Sequence, residues 1–394
     1  MCGFASLDAD TMPLDLKRVL EFCVSERPWV VETTRALARL ESPTSDKSAV
    51  DRCGAELAAR LTEIGAVVES ISNDSAGNHL RATMGDGPAQ LLMLGHFDTV
   101  WPIGQIERMS IVEEHGRLSG PGVYDMKAGI AIAMLAIRAL QSQEALPRRR
   151  IVVLLTSDEE RGSRTSQPLI EQEARRSDAV LVLEPSLANG ALKTSRKGAG
   201  EFRLEVRGVA AHAGIEPEKG ASAIHELARQ VVALEALRDS GISVNVGLVE
   251  GGSRPNVVAE QATCVIDVRV STAAERARVE EAFGGLTPAL RGTSVQVSGS
   301  FSRPPLERTE PGVRLYQVAR EVASELGHEL GEGSTGGGSD GNFTAALGVP
   351  TLDGLGAVGA GAHALHECVE VAELPWRAAL VAGLVYRLDS VQTL

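Results

Sequence analysis

Residues 91–98 read Leu-Leu-Met-Leu-Gly-His-Phe-Asp: four apolar residues, a glycine, and then at once a histidine and an aspartate. A run this short and this apolar suits a strand buried on both faces. Residues 151–155 and 179–183 repeat the form. Residues 129–140 have helical spacing, and a polar helix fits between the second and third runs. Short apolar strands alternating with helices predict an α/β fold, a mainly parallel sheet with helices on both faces.

The sequence upstream of this stretch is helical. Residues 14–22, 29–40 and 51–64 carry apolar residues at helical spacing, and Gly65 stops the third helix. Downstream, the texture changes near Gly198. Residues 201–207, 242–249 and 262–270 alternate apolar and polar residues, residues 221–237 and 272–283 read as helices, and residues 294–298 as a last strand. The order β-α-β-β-α-β is that of a ferredoxin-like α+β unit. It reads as an insertion, because α/β texture resumes after Arg308 with helices at 315–326 and 342–347 and a strand at 349–352. The expected organisation is a catalytic domain in two segments, 1–196 and 308–394, with an inserted domain at 197–307.

Bulk properties narrow the function. With 39 basic and 52 acidic residues the formal net charge is −13, which speaks against a broad nucleic-acid surface. Five cysteines, Cys2, Cys23, Cys53, Cys264 and Cys368, are widely spaced with no CxxC, so free buried thiols are expected rather than disulfides or a thiolate metal site. Residues 1–10 hold acids and no apolar core of a secretory signal. The most apolar helix, 128–140, is short and contains Arg138, so no membrane span is expected. These readings predict a cytoplasmic protein.

In an open α/β sheet, ligands bind beyond the carboxyl ends of the strands. Here those ends carry Gly95-His96-Phe97-Asp98, Thr156-Ser157-Asp158-Glu159-Glu160 and Glu184-Pro185. Asp125 heads a helix, and a late loop brings Ala362-His363-Ala364-Leu365-His366-Glu367. Imidazole mixed with carboxylate, without thiolate, suits zinc, manganese or cobalt. Two cations about 3.5–4 Å apart require a shared carboxylate and further ligands for each. His96, Asp125, Glu160, Glu184 and His363 fit that count, with Asp125 as the bridge. Asp98, two residues from His96, is placed to accept the imidazole's other N–H. Adjacent glutamates diverge, so while Glu160 binds metal, Glu159 is free to act as general base toward the attacking water.

These stretches, together with Gly120-Pro121-Gly122-Val123-Tyr124-Asp125-Met126-Lys127-Ala128-Gly129, resemble in order the motifs of the dizinc aminoacylase/carboxypeptidase family, the M20 metallopeptidases, and among them the bacterial glutamate carboxypeptidases. The likeness runs from about Glu32 to the C-terminus. It implies His96 and Glu184 on one zinc, Glu160 and His363 on the other, Asp125 bridging, Glu159 as base, and a cis Asp125–Met126 peptide. The family's ligand histidine stands four residues before a glutamate, which selects His363 over His366. The resemblance also implies that the insert is a lid through which a homodimer forms. His212, in Gly208-Val209-Ala210-Ala211-His212-Ala213-Gly214, would reach the partner's site to stabilise the oxyanion. Asn256 and Arg303 would hold the substrate, Arg303 as the fork on its α-carboxylate. The Gly336-Gly337-Gly338-Ser339-Asp340-Gly341 loop lacks the Gly-Lys-Ser/Thr ending of a phosphate cradle; in the family it lines the substrate's carboxylate end, which assigns Gly338 and Ser339.

The activity implied is hydrolysis of an amide next to a C-terminal amino acid, glutamate above others, in a small N-acyl amino acid or short peptide. An aminoacylase or dipeptidase of the same family is the alternative. A non-catalytic binding protein is a third reading, disfavoured because base, bridge and ligands are all present.

Overall fold

The computed structural model describes residues 14–390. Its main sheet has six strands in the order Val67–Ile71, His79–Met84, Arg150–Thr156, Gln90–His96, Ala179–Val182, Thr351–Leu352. The last four are parallel, and the first two form an antiparallel edge. The strand at the centre is the one read first from the sequence, and all seven of its residues are buried.

Both faces of the parallel strands are covered, as the apolar runs require. Leu91, Met93, Val153 and Leu181 face one core with the helices Leu16–Ser25, Arg27–Arg39, Ala128–Ser142 and Leu374–Ser390. Leu92, Leu94, Val152, Val180 and Val182 face the other, against Ile170, Ala174 and Phe343. Alternate residues point to opposite faces, so a strand packed on both sides has no polar positions to spare. Helix Ala128–Ser142 is buried almost all round.

The insert pairs its strands in the order Ser243–Gly251, Gln261–Val270, Gly198–Arg207, Ser294–Arg303, all antiparallel, with helices Ala223–Glu235 and Ala273–Gly284. Its own core contains Phe202, Leu204, Ile266, Phe283 and Phe301, and the Phe202 and Phe283 rings lie 4.3 Å apart. The chain enters at Gly198 and leaves at Arg303 on adjacent strands, with Ala199 opposite Arg303. This last strand runs five residues past the stretch read from the sequence, because the pattern fades at Ser298-Gly299-Ser300 while backbone pairing continues. A register shift between Phe301 and Arg303 turns the strand's end.

Three further features were not read from the sequence. One is the antiparallel edge; there Val67–Ile71 is largely exposed and carries no apolar run. Another is a small sheet of Val112–Glu114, Arg117–Ser119, Cys368–Glu370 and Gly359–Ala360, which ties the loop bearing His363 to the turn before Asp125. The third is the parallel pair Leu192–Arg196 and Glu332–Thr335. Cys23, Cys53, Cys264 and Cys368 are free and buried, and among the described residues no helix is long and apolar enough to cross a membrane. The readings of residues 1–10 and of Cys2 lie outside the described residues.

Gly129 shows how closely the fold fits at the site. A Cβ there would stand 2.0 Å from the Leu183 carbonyl oxygen, so only glycine lets this helix rest on the strand end that carries Glu184. Alanine favours a helix over glycine by about 1 kcal/mol. Gly129→Ala is nevertheless expected to destabilise the protein by roughly 1–3 kcal/mol through overpacking. Thermal unfolding checks this, and a stabilised variant would contradict it.

Candidate metal centre

His96 ends the central strand with its ring buried. Its Nε2 lies 3.3 Å from Asp125 Oδ1 and 3.6 Å from Glu184 Oε1. The other oxygen of Asp125 stands 3.4 Å from His363 Nε2, which is 3.2 Å from Glu160 Oε2. One carboxylate is thus divided between two imidazole–carboxylate pairs. Of the two late-loop histidines, His363 is the one turned to this centre. Its φ of 60° is the left-handed region that non-glycine residues seldom adopt, as happens at constrained functional positions.

Three of these atoms, His96 Nε2, Asp125 Oδ1 and Glu160 Oε1, are buried with no hydrogen-bond partner. Orphaned buried polar atoms are costly and rare. Donor atoms of His96, Asp125 and Glu160 all lie within 4.8 Å of one another. In a tetrahedral site with bonds of about 2.1 Å, ligand atoms stand about 3.4 Å apart, close to the spacings found here. The donor set and its geometry fit divalent cations.

Charge follows the same division. Burial disfavours a charged His96 ring, but Asp125, Asp98 and Glu184 outweigh it and hold its pKa well above the usual value. Asp125 and Glu160 push His363 up to about 10. Burial alone would raise the pKa of Asp125, yet His363 and His96 bring it below the usual carboxylate range.

Asp98 does more than sequence reasoning assigned to it. His96 Nδ1 lies 3.1 Å from its backbone carbonyl oxygen and 3.4 Å from its Oδ1. The carboxylate also accepts the Thr44 hydroxyl at 2.6 Å and the backbone N–H groups of Glu159 and Glu160, each at 3.2 Å. One buried aspartate thereby fixes both an imidazole and the turn that carries two glutamates.

Glu159 Oε1 receives Arg303 Nη2 at 2.8 Å. Burial raises its pKa well above that of an ordinary glutamate, and the Arg303 charge opposes the rise. Arg303 is engaged at both terminal nitrogens: Nη1 donates to Asp340 at 2.9 Å, and Nη2 also reaches Ser163 Oγ at 2.9 Å. Gly338 lies against Arg303, and Ser339 is buried with its hydroxyl given to Asp353 at 2.6 Å. His212 and Asn256 share an exposed edge of the insert. Asn256 O accepts Ala213 N–H at 3.0 Å, and His212 Nδ1 accepts Gly214 N–H at 3.1 Å. The structure therefore gathers His96, Asp98, Asp125, Glu159, Glu160, Glu184, His363 and Arg303, and leaves His212 and Asn256 on the insert.

Two structuring residues escaped the sequence reading. Glu367, used there only to mark a spacing, is fully buried. It accepts N–H groups from Gly122 at 3.0 Å, Tyr124 at 2.9 Å, Asp125 at 3.0 Å and the Trp101 indole at 2.8 Å. It holds the backbone of Asp125. The Asp125–Met126 peptide is cis, as the resemblance implied. Arg196 forms a two-pronged pair with Asp353 at 2.8 Å on each prong, binds the Gly337 and Gly338 carbonyls at 3.1 Å, and stands 3.6 Å from Glu184. A lone arginine at a strand end gives no sequence signal of such a role.

A sheet that collects imidazoles and carboxylates at its strand ends, beside a sheet-rich insert, is the build of a metallopeptidase. The chain belongs to peptidase family M20/M25/M40, whose model matches residues 92–387. It is 30% identical over 392 residues to carboxypeptidase G2 of Pseudomonas sp. (strain RS-16), covering 94% of this chain and 92% of that one. It is 31% identical to a succinyl-diaminopimelate desuccinylase of Xanthomonas oryzae pv. oryzae (strain PXO99A), over 85% of this chain and 93% of that one. Among solved structures, aminopeptidase PepT of Bacillus cereus ATCC 10987 superposes with a TM-score of 0.76 at 24% identity, over 95% and 99% of the two chains.

Metal binding must displace protons here, because both imidazoles hold theirs above the ordinary range. Adding zinc to the metal-free protein at pH 7 should release about two protons, and affinity should fall as pH is lowered. Calorimetry in buffers of different ionisation enthalpy measures this. Proton release near zero would contradict the assignment.

Proposed function

We propose that the protein hydrolyses an amide bond next to a free C-terminal amino acid, glutamate by preference, in N-acyl or short peptidyl substrates. The observation that carries the hydrolysis is Asp125, shared between His96–Glu184 and His363–Glu160, with Glu159 beside it, while the preference for glutamate rests on the resemblance to the glutamate carboxypeptidases. Two divalent cations, zinc or else manganese or cobalt, would be held by those five residues. When bound they supply Lewis acidity to the scissile carbonyl and to water.

The chain's own residues supply the rest. Glu159 takes the proton of the attacking water and passes it to the leaving nitrogen, and the burial that raises its pKa suits a group that must hold a proton between the two steps. Asp98 keeps the His96 ring in place and the Glu159–Glu160 turn closed onto the centre. Arg303 orients Glu159; to serve also as the fork on the substrate's α-carboxylate it must give up one of its two carboxylate partners. The Gly338 and Ser339 loop backs it.

His212 is proposed to donate to the oxyanion across a homodimer formed by the insert, with Asn256 beside it on the substrate. Their exposure, and the bare Leu248 and Val249 side chains on the insert's edge strand, support this reading. A fully active monomer in sedimentation experiments would exclude it. Four free buried cysteines accord with a cytoplasmic enzyme. The 31% identity to a desuccinylase supports a second reading, an N-acyl-amino-acid amidohydrolase with a different pocket.

Glu159→Gln should keep both metals and lose about 10²–10⁴-fold in kcat, as removal of a general base does. Metal analysis together with hydrolysis of acyl-glutamate, acyl-aspartate and acyl-leucine compounds decides the matter. A variant that stays active would remove Glu159 from the reaction, and a preference for acyl-leucine would remove glutamate.

A further inference from the structure

The strand Arg150–Thr156 leads into the turn that carries Glu159 and Glu160, and the antiparallel strand beside it begins at His79. Leu80 stands opposite Leu155, so the buried His79 ring lies where that strand runs out into the turn. Its Nδ1 accepts the Ser157 backbone N–H at 3.2 Å. Ser157 Oγ is 3.0 Å from the same nitrogen, but its proton goes to the Gly77 carbonyl oxygen. An amide N–H can only donate, so Nδ1 carries the lone pair and the ring proton sits on Nε2.

The proton's position sets the direction of the bonds beyond it. Nε2 is 3.2 Å from Thr165 Oγ1 and donates to it. That hydroxyl also accepts from Asn73 Nδ2 at 2.7 Å, and gives its one proton to Asp158 Oδ2 at 2.7 Å. Asn73 Oδ1 holds the Ser75 N–H at 3.0 Å, which fixes which way the amide points. Asp158 is buried, and its carboxylate also takes the Thr165 N–H at 2.8 Å and the Ser166 hydroxyl at 2.6 Å. Its carbonyl oxygen accepts the N–H groups of Arg161 at 3.2 Å and Ser163 at 2.9 Å, which closes the turn around Glu159 and Glu160. Asp98 grips this turn by the Glu159 and Glu160 N–H groups, and the His79 network grips it at Ser157 and Asp158, where it leaves the strand.

The network needs an uncharged ring, since a second proton would sit on Nδ1 and face the Ser157 N–H. Burial lowers the His79 pKa; the charges of Asp158, Asp340 and Asp98 oppose the fall, and Lys47 adds to it.

We propose that His79 is a positioning residue for the metal centre: its neutral imidazole, protonated on Nε2, locks Ser157 and, through Thr165, Asp158, and so sets where the turn presents the carboxylates of Glu159 and Glu160. The consequence for turnover rests on the amide-hydrolase reading, and the consequence for metal binding does not.

Nitrogen-15 NMR of the histidine-labelled wild type tests the ring directly, with the His79 signals identified by their absence from the variant spectra. At pH 6.5, where an ordinary histidine is about half charged, His79 is expected to be neutral with its proton on Nε2. A charged ring, or a proton on Nδ1, overturns the proposal. His79→Leu fills the space without either hydrogen bond, whereas the amide of His79→Gln can still donate to Thr165. His79→Leu is expected to bind zinc at least about tenfold more weakly and, at saturating zinc, to lose about tenfold or more in kcat with KM little changed, the scale set by removing an outer partner of a metal site. His79→Gln should recover most of both losses. Wild-type zinc affinity in His79→Leu, or a glutamine variant as impaired as the leucine one, overturns the role. If wild type hydrolyses none of the acyl-amino acid compounds, the amide-hydrolase reading fails, and the ring's proton and the zinc affinities still decide the role of His79.

Discussion

Asp125, Glu159, Glu160 and Glu184 cannot all stand ionised within a few ångströms of one another unless positive charge lies among them. That constraint organises the surroundings. His96 and His363 face Asp125 from its two sides, Arg303 faces Glu159, and Arg196 stands near Glu184. With protons alone, the balance is met by charged imidazoles. The unpartnered atoms of His96, Asp125 and Glu160 show that it is met incompletely. Divalent cations satisfy the same balance with stronger ligation.

Holding such a centre needs backbone order as well as charge. Glu367 draws three backbone N–H groups, those of Gly122, Tyr124 and Asp125, and an indole onto one carboxylate, and so fixes Asp125. Asp98 does the same for the Glu159–Glu160 turn. Both are buried carboxylates whose partners are mostly N–H groups. Such bonds are stronger than neutral ones, and their loss exposes several donors at once.

Much of this was legible in the chain. The runs at 91–94, 151–155 and 179–183 give the parallel strands because a strand covered on both faces has nowhere to place polar residues. The residues after those runs give His96, Asp98, Glu159, Glu160 and Glu184 because strand ends share one rim. What was hidden depends on contacts far apart in sequence. Trp101 meets Glu367, and Arg196 meets Asp353, across 266 and 157 positions. The edge strand Val67–Ile71 was hidden for another reason: solvent covers much of it, so its composition is unconstrained. Roles for His212 and Asn256 came from resemblance alone, since an exposed histidine and asparagine carry no pattern.

Arg303 is the last residue of the insert's last strand, opposite Ala199 on the strand by which the chain enters it. Both connections between the two bodies therefore run side by side. The positive charge that opposes the rise in the Glu159 pKa thus comes from the far end of the insert, so the inserted chain helps to set the acid strength of a glutamate at the rim of the main sheet.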